Sequence, residues 1–198
     1  GGHKGSDILT AYVLTMAQEA GFEIPEASRT KMLAGLAAFV GGNITRDFWS
    51  PRKDLDARKL AAIDALAHYG QARSSMLDSI QISPNQWPTS AILSLYSILL
   101  KSPDWPDRAK RLAEIDQILR ARMNFQGTRL AFSTEADDYW WWLMDHADAN
   151  ALRLINLTMD QPAWQADLPR MMIGAVGRQQ RAAWASTVSN AWGVITLN

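Results

Sequence analysis

The chain has 198 residues, 47% of them hydrophobic, enough to bury a sizeable core without disulfides or metals. Twenty Lys and Arg balance twenty Asp and Glu, which leaves no net field to draw nucleic acid or an anionic membrane surface. The absence of Cys excludes thiolate catalysis, Cys-based zinc sites and disulfide cross-links.

Apolar residues recur at spacings of three and four from the start of the chain, the signature of amphipathic helices. The spacing predicts a first helix from Ser6-Asp7 with Leu9, Val13, Met16 and Ala20 on its buried stripe, stopping at Gly21. A second runs from about Pro25, whose fixed φ suits a first helical turn, through Met32, Leu36 and Phe39 to Gly41-Gly42. Asp54 is the expected N-cap of a third, with Leu60, Ile63 and Leu66 inward and Gly70 closing it. Ser75 to Ile80 reads as a short apolar turn. Pro84-Asn85 then leads into a helix bearing Ile92, Leu93, Tyr96, Leu99 and Leu100, with Pro88 in its first turn.

Asp104 and Pro106 open the most clearly amphipathic segment. Leu112, Ile115, Leu119 and Met123 are expected inward, and Arg108, Lys110, Glu114 and Arg120 in water. Between Asn124 and Thr134 the period shifts toward two, with Phe125, Leu130 and Phe132 around Gly127, predicting a short hairpin or irregular loop. Helices resume after Thr134, which has capping-box spacing to Asp137. They continue to about Asp145, over Ala149 to Met159, after Pro169 and from about Ser186. About ten helices with almost no strand imply an all-α domain over residues 1–198, built as stacked antiparallel hairpins in an α-solenoid or a closed ring. No apolar run reaches the length of a membrane span, since Ala91 to Leu100 is interrupted by Ser94 and Ser97. Gly1 to Gly5 has no signal-peptide core, and both ends read as cut from a longer protein.

Leu9 to Leu14, Pro88 to Leu93 and Val188 to Val194 share a pattern of small or hydroxyl residues followed by a compact apolar stretch. Without a fixed period, ordinary capping explains them. Together, Ser6-Asp7-Ile8-Leu9-Thr10-Ala11-Tyr12-Val13-Leu14, Trp87-Pro88-Thr89-Ser90, Asn124-Phe125-Gln126-Gly127-Thr128, and Gly177-Arg178-Gln179-Gln180 followed by Thr187 to Val194 resemble the bacterial α2-macroglobulin family. In order, they match the later, larger part of its thioester-type helical domain and cover essentially the whole chain. The resemblance implies an α/α toroid, a ring of antiparallel helical hairpins, here incomplete. It also implies a parent in the periplasm, anchored as a lipoprotein, that traps proteases and packs this domain against others of the same chain.

The family's Cys-x-x-Gln thioester would lie upstream of Gly1. Its helper His should fall after the first two helices, where Gly42-Asn43-Ile44-Thr45-Arg46-Asp47-Phe48-Trp49 contains none; His68 comes later. The resemblance therefore points to the branch without a thioester, holding its protease by steric entrapment, and to a domain that is not an enzyme.

The chemistry-bearing residues support few other readings. His3, His68 and His146 include no pair at metal-ligand spacing, so no metal and no cofactor are expected. Asp145-His146-Ala147-Asp148 reads as helix-end capping. Gly174-Ala175-Val176-Gly177 lacks the context of a phosphate loop, and Arg178 to Arg181 reads as a solvated loop. Glu135-Ala136-Asp137-Asp138 beside Tyr139-Trp140-Trp141-Trp142 carries the alternative of a helical-toroid cyclase, in which an acid protonates substrate in an aromatic cavity. Carboxylates in a first helical turn are equally what the helix dipole favours. A helical scaffold for protein–protein contact is the third reading. Three successive Trp sweep about 200° of a helical wheel and cannot share one narrow stripe. Trp140, Trp141 and Trp142, with Trp49, are thus the candidates for interdomain contact.

Overall fold

The computed structural model describes residues 6–42, 52–80, 83–126, 129–132 and 148–182. The described residues are all-α apart from one two-stranded hairpin. The described helices are α1 (Ser6–Glu19), α2 (Glu26–Val40), α3 (Arg52–His68), α4 (Thr89–Lys101), α5 (Arg108–Arg122), α6 (Asp148–Thr158) and α7 (Leu168–Ala182). Strands β1 (Met123–Gln126) and β2 (Arg129–Phe132) stand between α5 and α6. None of these helices is long and apolar enough to cross a membrane. The helices expected to run to Asp145 and from Ser186 lie outside the described residues.

The chain forms two compact units. One comprises Gly1–Trp87 with Ser94–Ala113, the other Pro88–Leu93 with Glu114–Asn198.

In the first unit α1 and α2 pack on α3 and on each other. Leu60, Ile63 and Leu66 of α3 are fully buried, and so are the small residues Ala62 and Ala65, which let neighbouring helices approach. α1 and α3 end alike. Gly21 and Gly70 take left-handed φ of 70° and 71°. Phe22 N–H then bonds to the Ala17 carbonyl, and Gln71 N–H to that of Leu66, each satisfying a carbonyl the helix end would leave orphaned. α2 ends at Val40: Gly41, the cap, stays right-handed and Gly42, at φ 76°, makes the turn. Pro25 occupies the position before the helix, and Leu33 and Val40 join Leu36 and Phe39 in the core while Met32 is half-buried.

The stripe expected on α1 is the wrong one. Ala11, Leu14, Thr15 and Ala17 are buried, whereas Leu9 and Val13 are 54% and 41% exposed and Ala20 is exposed. Apolar residues occur nearly all round this helix, so spacing alone did not decide which side turns inward. Asp54 is not the cap of α3, which begins two residues earlier at Arg52; Arg and Lys are good helix formers and nothing at Lys53 stops the helix extending back.

α4 is buried at every position from Thr89 to Leu99, and Pro88 lies just before it, its carbonyl accepting the first helical N–H bonds from Ala91 and Ile92. α5 begins at Arg108, later than Asp104 or Pro106. Asp107 adopts a φ of 54° and accepts from Arg111 N–H, so the intervening prolines and tryptophan form a turn.

The second unit contains the hairpin, α6 and α7. Register pairs Met123 with Phe132 and Phe125 with Leu130, placing four apolar residues on one face. Met123 thus opens a strand where it was expected on the helix: the change of period to two begins one residue earlier than the pattern suggests. Leu130 and Phe132 are buried, and β2 packs against α7. α7 turns Leu168, Met171 and Ala175 inward and packs on α6. It starts before Pro169, with Asp167 accepting from Met171 N–H, and continues through Arg178 to Arg181, which are helical and not a loop. Long polar side chains are good helix formers, so the absence of a Gly or Pro stop after Gly177 was the better signal.

Candidate functional site

Trp49, Trp140, Trp141 and Trp142 lie outside the described residues, as do Glu135 to Asp138, His3 and His146. The described chemistry centres on His68, on the last turn of α3 in the first unit. Its side chain is completely buried. Nδ1 donates to the Asp64 backbone carbonyl at 2.8 Å and lies 3.4 Å from Asp64 Oδ1; Nε2 donates to Glu19 Oε1, on the last turn of α1, at 2.8 Å. A backbone carbonyl can only accept, and an ionised carboxylate can only accept, so both ring nitrogens carry protons. Burial pushes the imidazole pKa down, but the charge of Asp64 and the hydrogen bonds to Asp64 and Glu19 outweigh it and raise it to about 9.

An imidazolium donating from both nitrogens has no lone pair. While the bridge stands, His68 neither accepts a proton nor ligates a metal. Its role is to cancel charge between two helix ends. The next residue adds a second tie, Tyr69 donating its hydroxyl to the Leu14 carbonyl at 3.0 Å. Burial pushes that phenol's pKa up, against the smaller opposing effect of Arg29, which keeps the donor protonated. Lys59, also buried on α3, reaches Ser79 Oγ at 3.1 Å.

Among the described residues no group of three His, Asp or Glu side chains could hold a metal ion. An open groove of about 250 Å³ lies in the same unit between Ala67–Ser74 and the turn that follows α4. Lys101 and Asp104 are its charged lining residues, set among Pro103, Trp105 and Pro106. It brings no acid–base pair to bear on a common point.

In the second unit two buried arginines meet the first turn of α4. Arg122 Nη1 lies 3.5 Å from Thr89 Oγ1, and Arg153 Nη1 donates to the Ser90 carbonyl at 3.2 Å. Thr89 Oγ1 and the Ser90 backbone carbonyl are therefore acceptors within a polar core. Neither arginine was singled out from sequence, because a charged residue on an amphipathic helix reads as solvated unless its partner is known. For His68 half of the signal was legible: Asp64 precedes it by four residues, one helical turn. Glu19 was not.

The chain matches no family model, no curated protein and no solved structure.

Proposed function

We propose that this chain is a non-catalytic helical domain of a bacterial α2-macroglobulin-like protein, in which it contributes to trapping and inhibiting proteases in the periplasm. The observation that carries the proposal is the ordered set of sequence motifs laid over an all-α chain. Ser6 to Leu14 falls on α1, Thr89-Ser90 on the first turn of α4, and Asn124 to Gln126 on β1. A rigid module needs its polar residues committed to internal bonds, and the described polar core fits that need: His68, Arg122 and Arg153 serve helix ends. In this reading the helical hairpins form an α/α toroid, Trp49 and Trp140 to Trp142 contact other domains, and the protease is held by enclosure without a covalent bond.

The test uses the full-length parent. Cleaved by a protease and then assayed, the complex should keep its activity toward a small chromogenic peptide and lose it toward a large protein substrate. Equal retention of both activities is incompatible with trapping. A covalent, denaturation-resistant adduct between parent and protease would overturn the non-covalent branch.

A further inference from the structure

α1 carries apolar side chains on two sides. At about 100° per residue, the set Ala11, Leu14 and Ala17 centres roughly 130° away from the set Leu9, Val13, Met16 and Ala20. The first set is buried, with Thr15 beside it; the second is exposed at Leu9, Val13 and Ala20 and half-buried at Met16. Leu, Val and Met present more apolar area than one Leu and two Ala, so burial of apolar surface alone favours the opposite setting of the helix.

The polar ties select the observed one. His68 to Glu19 and Tyr69 to Leu14 leave from consecutive residues at the end of α3 and both land on α1. A roll of α1 would carry the Glu19 carboxylate away and leave a buried imidazolium with Asp64 alone, a costly arrangement. We propose that the Glu19–His68–Asp64 bridge is a latch that holds α1 in a rotational setting its apolar residues would not choose. Opening the latch frees α1 to roll on α3, or to leave it, while α2 and α3 stay paired. α1 is then the element of this unit built to change partners. This inference does not rest on the protease-trapping proposal.

The chain has no cysteine, so single cysteines report on each side of α1 directly. Val13→Cys marks the exposed side and Ala11→Cys, about 160° away on the wheel and 2% exposed, the buried one. Each is placed in the full chain with Glu19 intact or with Glu19→Gln, and native-state thiol labelling is timed. With Glu19 intact, Ala11→Cys should label at least about tenfold more slowly than Val13→Cys. Glu19→Gln should remove most of that protection, a change of roughly tenfold or more, while amide exchange across α3 stays within about twofold. Tyr69→Phe, which deletes one hydroxyl, should produce the same pattern at smaller amplitude; it decides the matter if Glu19→Gln fails to fold. Unchanged protection of Ala11→Cys, or an equal rise in amide exchange over α1, α2 and α3, overturns the latch.

Discussion

His68 and Glu19 stand 49 positions apart in the chain and 2.8 Å apart in space, and the proton between them links folding of the first unit to pH. The folded pKa is about 9 against an ordinary 6.5, so between those values the folded chain holds a proton that the unfolded chain has lost. The stabilisation is complete below pH 6.5 and is lost as pH rises through 9. It amounts to on the order of 3 kcal/mol. The melting temperature should therefore fall steadily from pH 6.5 to beyond 9, and His68→Gln should flatten that slope while lowering the starting value. Parallel wild-type and variant slopes would show that His68 binds its proton no more tightly folded than unfolded.

Two leucines on α1 give opposite expectations. Leu14 is fully buried, and Leu14→Ala should cost about 2–5 kcal/mol in chemical denaturation. Leu9 is more than half exposed, and Leu9→Ala should stay within about 0.5 kcal/mol. Comparable losses would mean that both sides of α1 are packed.

That contrast marks where sequence reading stopped. Helix existence was legible because the 3.6-residue period is local, and the glycines at 21, 42 and 70 mark where left-handed turns end α1, α2 and α3. The hairpin was legible because its period of two breaks the helical pattern around Gly127. The orientation of α1 was not, since Leu9, Val13 and Met16 outweigh Ala11, Leu14 and Ala17 on any hydrophobic scale, and the deciding partners sit on α3. Charge location failed for the same reason. Arg122 and Arg153 are buried because the first turn of α4 offers acceptors, a fact carried by residues far along the chain.

Glycine substitutions should change stability in opposite directions. Gly70 has a left-handed φ of 71° and open space where a Cβ would stand, so the cost of Gly70→Ala is backbone strain alone, about 1–2 kcal/mol. Gly35 lies inside α2 with equally open surroundings and no positive φ. Gly35→Ala should stabilise by about 0.5–1 kcal/mol through the entropy of the unfolded chain. Thermal melts of the two variants check the signs; a destabilising Gly35→Ala would contradict the open helix surface there.

Trp164 fastens the turn between α6 and α7 to α5 by three contacts of unequal weight. Its ring is fully buried, its indole N–H donates to Asp116 Oδ1 at 2.8 Å, and the Arg120 guanidinium lies 4.1 Å above the ring. Arg120 also bonds to Asp167 Oδ2 and the Ala163 carbonyl, each at 2.5 Å, but its side chain is 38% exposed, so solvent screens the ion pair. Ring burial should therefore dominate. Trp164→Ala is expected to cost about 3–5 kcal/mol, Trp164→Phe about 1–2 through the lost donor to Asp116, and Arg120→Ala about 1 or less. Far-UV circular dichroism in urea, which does not depend on the tryptophan signal, gives the order. If Arg120→Ala cost as much as Trp164→Ala, the guanidinium and its two acceptors, not the ring, would be what holds that turn on α5.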